Sequence, residues 1–228
     1  MEVIFEDNHL IAINKEPGDL VQGDETGDAP ITDSVKTYIK QRYNKPGDVY
    51  LGLIHRLDRP VSGVVVFART SKALERMNAL FATRNITKKY IAVVEKRPEP
   101  LFGKLEHYLL KDKTKNVTHV YERLSRRAAE AKLSSLTYSL LAEFEGLHVL
   151  EVYPESGRSH QIRAQLSFIG CPIVGDLKYG AKKGFKEGYI ALHAQSLQFE
   201  HPIQKTKITI EASFPDFPIW RRLSDYDL

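Results

Sequence analysis

Residues 64–68, Val-Val-Val-Phe-Ala, form an unbroken apolar run dominated by β-branched side chains. A run of this kind reads as a strand buried on both faces. Immediately upstream lies a dense polar cluster, His55, Arg56, Asp58 and Arg59, closed by Pro60 and Gly63. Pro60 prevents Asp58 and Arg59 from continuing a helix, and Gly63 permits an unusual backbone angle or a close approach. The chain therefore presents one acid among cations on a constrained loop that feeds a core strand. Active sites often sit on such loops, although an Asp beside an Arg is ordinarily a surface ion pair or a turn former.

A chain of 228 residues can bury a substantial core without disulfides or a structural metal. Its single cysteine, Cys171, excludes an internal disulfide, and the absence of a CxxC pair speaks against a structural zinc site. A reducing, cytoplasmic setting is expected. The first residues, Met-Glu-Val-Ile-Phe-Glu-Asp, lack the basic and apolar regions of a secretion signal. No apolar run approaches membrane-spanning length. A net charge of +4 and a pI near 9.0 weakly favour a polyanionic partner.

Taken in order, Val3–Phe5 and Leu10–Ile13 read as two strands joined at Asp7-Asn8. Thr32 is the expected N-cap of a helix reaching Tyr43, with Val35, Tyr38, Ile39 and Arg42 on one face. After the central strand, Thr70 or Ser71 should cap a second helix running to about Arg84, with Leu74, Met77 and Phe81 buried. Lys88–Val94 reads as a strand. Residues 101–127 form a polar hairpin around Asp112–Asn116, whose Lys111, Lys113 and Lys115, with Arg123, Arg126 and Arg127 following, either grip phosphates or are simply solvated. Residues 131–143 and 147–153 pair across Glu145-Gly146.

Ser159 should cap a third helix with Ile162, Leu166 and Ile169 on its apolar face and Gly170 and Pro172 beyond its end. Arg163 falls in its first turn, against the helix dipole, which demands a local reason. Lys182, Lys183 and Lys186 read as an exposed loop, Lys205–Phe214 as a partner strand, and Trp220 as the packing residue of a short final helix. No repeat or linker divides the chain, so a single domain over 1–228 is expected. The strand-rich pattern points to an α+β fold.

Four segments together resemble the RluA-type pseudouridine synthases. His-Arg-Leu-Asp-Arg-Pro-Val-Ser-Gly, residues 55–63, is similar to that family's His-Arg-Leu-Asp-x-x-Thr-Ser-Gly, with Val61 in place of Thr. Lys15-Glu-Pro-Gly18 followed by Val21 resembles its Lys-Pro-x-Gly motif, with the proline one position late. Lys88-Lys-Tyr90-Ile-Ala-Val-Val resembles Lys-x-Tyr-x-Ala-x-Val. Gly157-Arg-Ser-His-Gln-Ile-Arg163 is similar to Gly-Arg-x-His-Gln-Ile-Arg, and the likeness continues through Pro172-Ile-Val-Gly-Asp-Leu-Lys-Tyr-Gly180 and Leu192-His-Ala to His201-Pro202. Family members often carry His where Gln165 stands. The matches run from Lys15 to Pro202. The resemblance implies a large mixed, mainly antiparallel β-sheet with flanking helices, and a catalytic domain without the extra N-terminal RNA-binding domain that many members carry.

It also implies a chemistry. Pseudouridine formation breaks the N1–C1′ bond of uridine, turns the base and rejoins it through C5. This isomerisation needs no cofactor, and the target must be flipped out of the stack or already unpaired. Asp58 is the catalytic residue implied, as nucleophile at C1′ or base at C2′. Arg163 is its implied charge partner, permanently cationic and planar. Tyr90 supplies a ring for the base and a hydroxyl for proton movement, and Leu192 an apolar wall. Arg56, Arg59 and Arg158 are candidates for flanking phosphates, and His55, His160 and Gln161 complete the expected substrate-binding set. The partner is then RNA, rRNA or tRNA, met by a monomer, with no metal and no membrane. Two rivals remain open: an RNA-binding protein on the same fold without activity, and a metal-dependent nuclease or phosphoesterase using His55, Asp58 and His160.

Overall fold

A computed structural model of the chain describes residues 1–23, 27–185 and 188–224. Lys186 and the side chain of Arg127 lie outside the described residues. In chain order the elements are β1 (Glu2–Glu6), β2 (Leu10–Lys15), α1 (Ile31–Arg42), β3 (Gly52–Leu53), β4 (Ser62–Ala68), α2 (Ser71–Ala82), β5 (Ile86–Val94), β6 (Phe102–Asp112), β7 (Val117–Tyr121) and β8 (Lys132–Phe144). They continue through β9 (Leu147–Pro154), α3 (Gln161–Phe168), β10 (Leu192–Glu200), β11 (Lys207–Glu211) and α4 (Pro218–Ser224). The architecture is the expected mixed, mainly antiparallel sheet with a few flanking helices. Among the described residues no helix is long and apolar enough to cross a membrane.

The chain divides into two compact units, each discontinuous in sequence: Met1–Thr87 with Ala194–Pro215, and Lys88–His193 with Asp216–Leu228. In the first unit the strands follow the order β1-β2-β4-β10, with β3 beside β4 and β11 beside β10. β4 is buried at every position, as its run of apolar residues requires. It pairs antiparallel with β2, so that Leu10 faces Ala68 and Lys15 faces Gly63. Leu10, Ala12, Val64, Val66, Met77, Leu197, Phe199 and Ile210 build one core there, with Leu74 and Phe81 packed against it. Burying such side chains contributes roughly 1.5–3 kcal/mol apiece.

Thr70 caps α2 as expected, its side chain accepting from the Ala73 amide at 3.2 Å. The cap of α1 differs from expectation. Pro30 takes that position and Thr32 lies inside the helix. Proline's fixed φ suits a helix start, where an amide hydrogen has no intrahelical acceptor in any case. Tyr38 is only partly buried and donates its hydroxyl to Glu6 at 3.0 Å.

In the second unit the order is β5-β9-β8-β6-β7. The β8–β9 turn at Glu145 and Gly146 has positive φ at both residues, 50° and 76°. Consecutive positive φ values are what a tight hairpin needs to match strand twist. The β6–β7 hairpin forms around 113–116, and Thr118 at the start of β7 donates its hydroxyl to the Ser159 carbonyl at 2.8 Å. Trp220 in α4 is buried, with the His193 ring 5.8 Å away.

Candidate active site

The loop from His55 to Val61 is held from beneath by a lysine. Lys15, at the end of β2, is fully buried, and its ammonium donates to three carbonyls: Glu16 at 2.8 Å, Arg59 at 3.1 Å and Val61 at 2.7 Å. The Arg59 carbonyl also accepts from the Gly18 amide at 2.8 Å. The Asp58 carbonyl accepts from the Val61 amide at 3.0 Å, closing the turn that carries Pro60. Asp58 itself is part-buried and Arg56 is exposed. Arg59 donates to the Gly18 carbonyl and to Asp28, at 3.0 and 2.7 Å. Burial pushes the Lys15 ammonium down from 10.5 to about 8, while Asp19, Asp58 and Glu16 pull it back up and Arg59 opposes them.

His55 is turned toward the core of this unit. Its Nε2 accepts from the Val66 amide at 3.0 Å, and its ring stacks on Phe81 at 5.2 Å. That bond ties the loop to the middle of β4. Gly63 explains how the loop enters the strand. Its φ is +115°, and a Cβ there would stand 2.2 Å from the Ala194 carbonyl oxygen. Only glycine accepts both the angle and the approach of β10.

The second unit carries the other expected residues. Tyr90 is part-buried in β5 and pairs with Val152 in β9. β9 runs into the turn that starts α3. Ser159 was the expected cap, but His160 occupies that position in the left-handed region, φ 54°, with no side-chain cap bond. Its Nδ1 lies 2.8 Å from the Tyr179 hydroxyl, which also accepts from the Thr118 amide at 2.8 Å. The ring is thereby used to anchor the turn, and the backbone absorbs the angle that a serine cap would have avoided. Gln161 is buried as well. Its amide donates to the Ser135 carbonyl at 2.9 Å, and its oxygen accepts from the Ser156 hydroxyl and the Arg158 amide at 2.8 and 3.2 Å. Arg158 is exposed, and Leu192 is buried at the start of β10.

Arg163 has the local reason that its position demands. Nε and Nη2 donate to the two carboxylate oxygens of Asp176, at 2.7 and 2.9 Å, and both residues are nearly fully buried. The guanidinium also sits 5.0 Å over the Tyr179 ring. Bidentate pairing of this kind fixes the plane of the arginine as well as its charge. Burial raises the Tyr179 phenol above its usual pKa, with Thr118 and Arg163 acting in the opposite direction.

Sequence reasoning assigned no role to Lys15, Asp176 or Tyr179. All three stood inside the motifs that carried the resemblance, yet nothing local marks a lysine as buried or an aspartate as an arginine's partner. Within the first unit the structure brings Asp58 and Arg59 to Lys15, and turns His55 instead to Val66 and Phe81. Within the second it brings His160 and Arg163 to Tyr179, and Arg163 to Asp176, while Gln161 bonds Ser135, Ser156 and the Arg158 amide. Among the described residues no group of three or more His, Cys, Asp or Glu side chains could hold a metal ion.

The first unit thus carries a loop-borne carboxylate, and the second a buried arginine oriented by Asp176. Comparison with known proteins gives the family. A family model for RNA pseudouridylate synthase matches residues 9–168. Ribosomal large subunit pseudouridine synthase C of Rickettsia prowazekii is 33% identical over 227 residues, covering 97% of this chain and 70% of the relative. The Rickettsia felis protein of the same description is 32% identical, covering 93% and 67%. Among solved structures, human RNA pseudouridylate synthase domain containing 4 aligns with a TM-score of 0.82 and 26% identity, covering 98% of this chain and 93% of its own. A second human structure, domain containing 1, shares the fold at a TM-score of 0.72 and 22% identity, covering 96% and 85%. The chain belongs to the RNA pseudouridylate synthase family, and its activity is the isomerisation of uridine in RNA to pseudouridine.

Proposed function

We propose that Asp58 is the reacting carboxylate and acts on the ribose of a uridine taken out of the RNA stack. The observation that carries this is the loop itself: a carboxylate on a turn set by Pro60 and Gly63 and held at two of its carbonyls, those of Arg59 and Val61, by a buried ammonium. A reacting group must be kept within fractions of an ångström of its target, and this loop is restrained by Lys15, by the Gly63 approach to Ala194 and by the His55 bond to Val66. In the same reading Arg163 supplies the positive charge that an ionised reacting carboxylate needs, Tyr90 stacks on the turned base, and Leu192 walls the pocket.

Arg56, Arg59 and Arg158, which are exposed, contact the flanking phosphates. His55, His160 and Gln161 shape the loops that meet the substrate, because their side-chain bonds reach protein atoms. The residues act as one catalytic domain over 1–228; the family match at 9–168 runs across the division between the two units. The relatives' names favour structured ribosomal RNA over tRNA as the substrate. A monomer in the cytoplasm suits a chain whose single cysteine is buried and has no partner for a disulfide.

The test uses RNA carrying tritium at uridine C5, which is released to water when the new carbon–carbon bond forms. Asp58→Asn keeps the volume and removes the reactive oxygen. Single-turnover release should fall by several orders of magnitude, with RNA affinity little changed. A variant retaining a tenth of the wild-type rate would show that the reacting group lies elsewhere. Pseudouridine mapping in RNA from a strain lacking this protein then identifies the substrate, as the uridine left unmodified.

A further inference from the structure

We infer that Lys15 is a positioning residue of the catalytic centre, whose ammonium sets the Asp58 turn and sustains turnover only while it carries its proton. This rests on the reading of Asp58 as the reacting group. A lysine in a core is costly and is ordinarily found at the surface with its head in water. Lys15 has no exposed surface, and its three hydrogen bonds go to the neutral carbonyls of residues 16, 59 and 61. Two of these flank Pro60, in the turn that follows Asp58. An uncharged amine has two hydrogens to donate, so deprotonation forces one carbonyl to give up its donor inside a dry site.

Backbone geometry closes the strands around the lysine. Lys15 stands opposite Gly63 in the β2–β4 register. The missing side chain at Gly63 lets β10 close over that position, with Ala194 in contact. The charged groups that act on the lysine are Asp19, Asp58 and Glu16, which favour its proton, and Arg59, which disfavours it. The attraction to Asp58 is mutual, so a proton leaving Lys15 removes a cation from beside the reacting carboxylate. With the ammonium's pKa lowered to about 8, that loss falls within a range where the protein can still be assayed.

The experiment is the pH dependence of single-turnover tritium release between roughly pH 6.5 and 9.5, a span that brackets the lowered pKa, set beside circular dichroism to hold the folded fraction constant. Wild type should lose rate with a midpoint near pH 8. Lys15→Arg, which keeps its charge throughout this range, should have a lower plateau and no limb at that midpoint. Lys15→Met should be slower than wild type by about 10-fold or more near neutral pH, with unchanged RNA affinity, and should also lack the limb. Uridine's own N3–H titrates in alkali, so the limb assigned to Lys15 is the part that both substitutions remove. A lysine that served stability alone would leave the limb in place in every folded variant. Wild type with a flat profile across the whole range overturns the inference even if neither variant folds. If Asp58→Asn is inactive but the Lys15 variants keep the wild-type rate and limb, only this inference fails. If Asp58→Asn is active, the reading of the site on which it rests fails first.

Discussion

At the residue scale, the decisive feature is that two buried cations are satisfied in different ways. Arg163 is paired with a carboxylate and Lys15 with neutral carbonyls. Removing the partner of a buried charge costs more than the pair itself contributes, on the order of 3–5 kcal/mol. Asp176→Asn should therefore lower stability by about 3 kcal/mol in urea unfolding and also reduce turnover, because Arg163 loses one of its two anchoring oxygens. Arg163→Lys keeps the charge without the planar fork, so its rate should fall well below wild type, and Arg163→Met should fall further.

Lys15 also makes stability depend on pH in a direction opposite to activity. Below pH 8 the lysine is protonated in both folded and unfolded chains. Between about 8 and 10.5 the unfolded chain holds a proton that the folded chain has released, so stability rises with pH through that window. The full span of that difference corresponds to about 3 kcal/mol. Unfolding free energies of wild type and Lys15→Met, compared at about pH 7 and pH 10 on either side of the window, should show the gap moving in favour of wild type.

At the element scale, the entry to β4 depends on a residue with no side chain. Gly63→Ala must move either the strand or the β10 backbone, since the added carbon would meet the Ala194 oxygen at 2.2 Å and the φ of +115° is strained for alanine. A loss of about 3 kcal/mol is expected from strain and overpacking together, read as a lower Tm. The β6–β7 hairpin behaves differently. Lys113 and Lys115 are exposed at its tip, and Lys111 donates to the Asn116 side chain. If the hairpin touches RNA, replacing all three lysines by Gln should flatten the log–log salt dependence of binding, by roughly one unit for each phosphate left without its cation. An unchanged slope would assign the hairpin to solvent, with catalysis untouched.

At the scale of the whole molecule, the chain is a catalyst whose described residues contain no cluster suited to a metal. Tritium release should persist in EDTA once polyamines maintain the RNA fold. Complete loss restored by zinc or manganese alone would show that a metal assists the isomerisation. One ring nitrogen of each motif histidine is engaged with protein: Nε2 of His55 accepts from the Val66 amide, and Nδ1 of His160 bonds the Tyr179 hydroxyl. Each bond ties its turn to the rest of its own unit.

What the sequence by itself determined was whatever depends on neighbours along the chain. The burial of Val64–Ala68 follows from an unbroken apolar run, the cap of α2 from a threonine placed before its first turn, and the β8–β9 hairpin from Glu145-Gly146. The motif order was legible for the same reason, and with it the family and the identity of Asp58, Tyr90 and Arg163 as residues to examine. The caps at Pro30 and His160 were not legible. His160 takes the left-handed angle with its ring held at the Tyr179 hydroxyl, a partner 19 residues on that no local pattern announces. The tertiary structure alone decided the partners of the buried charges. Lys15 reaches carbonyls 44 and 46 residues away, and Arg163 reaches an aspartate 13 residues on. Hydrogen bonds across such separations leave no periodicity or spacing in the chain, because they exist only after strands and turns have brought the groups together and excluded the water that would otherwise solvate them.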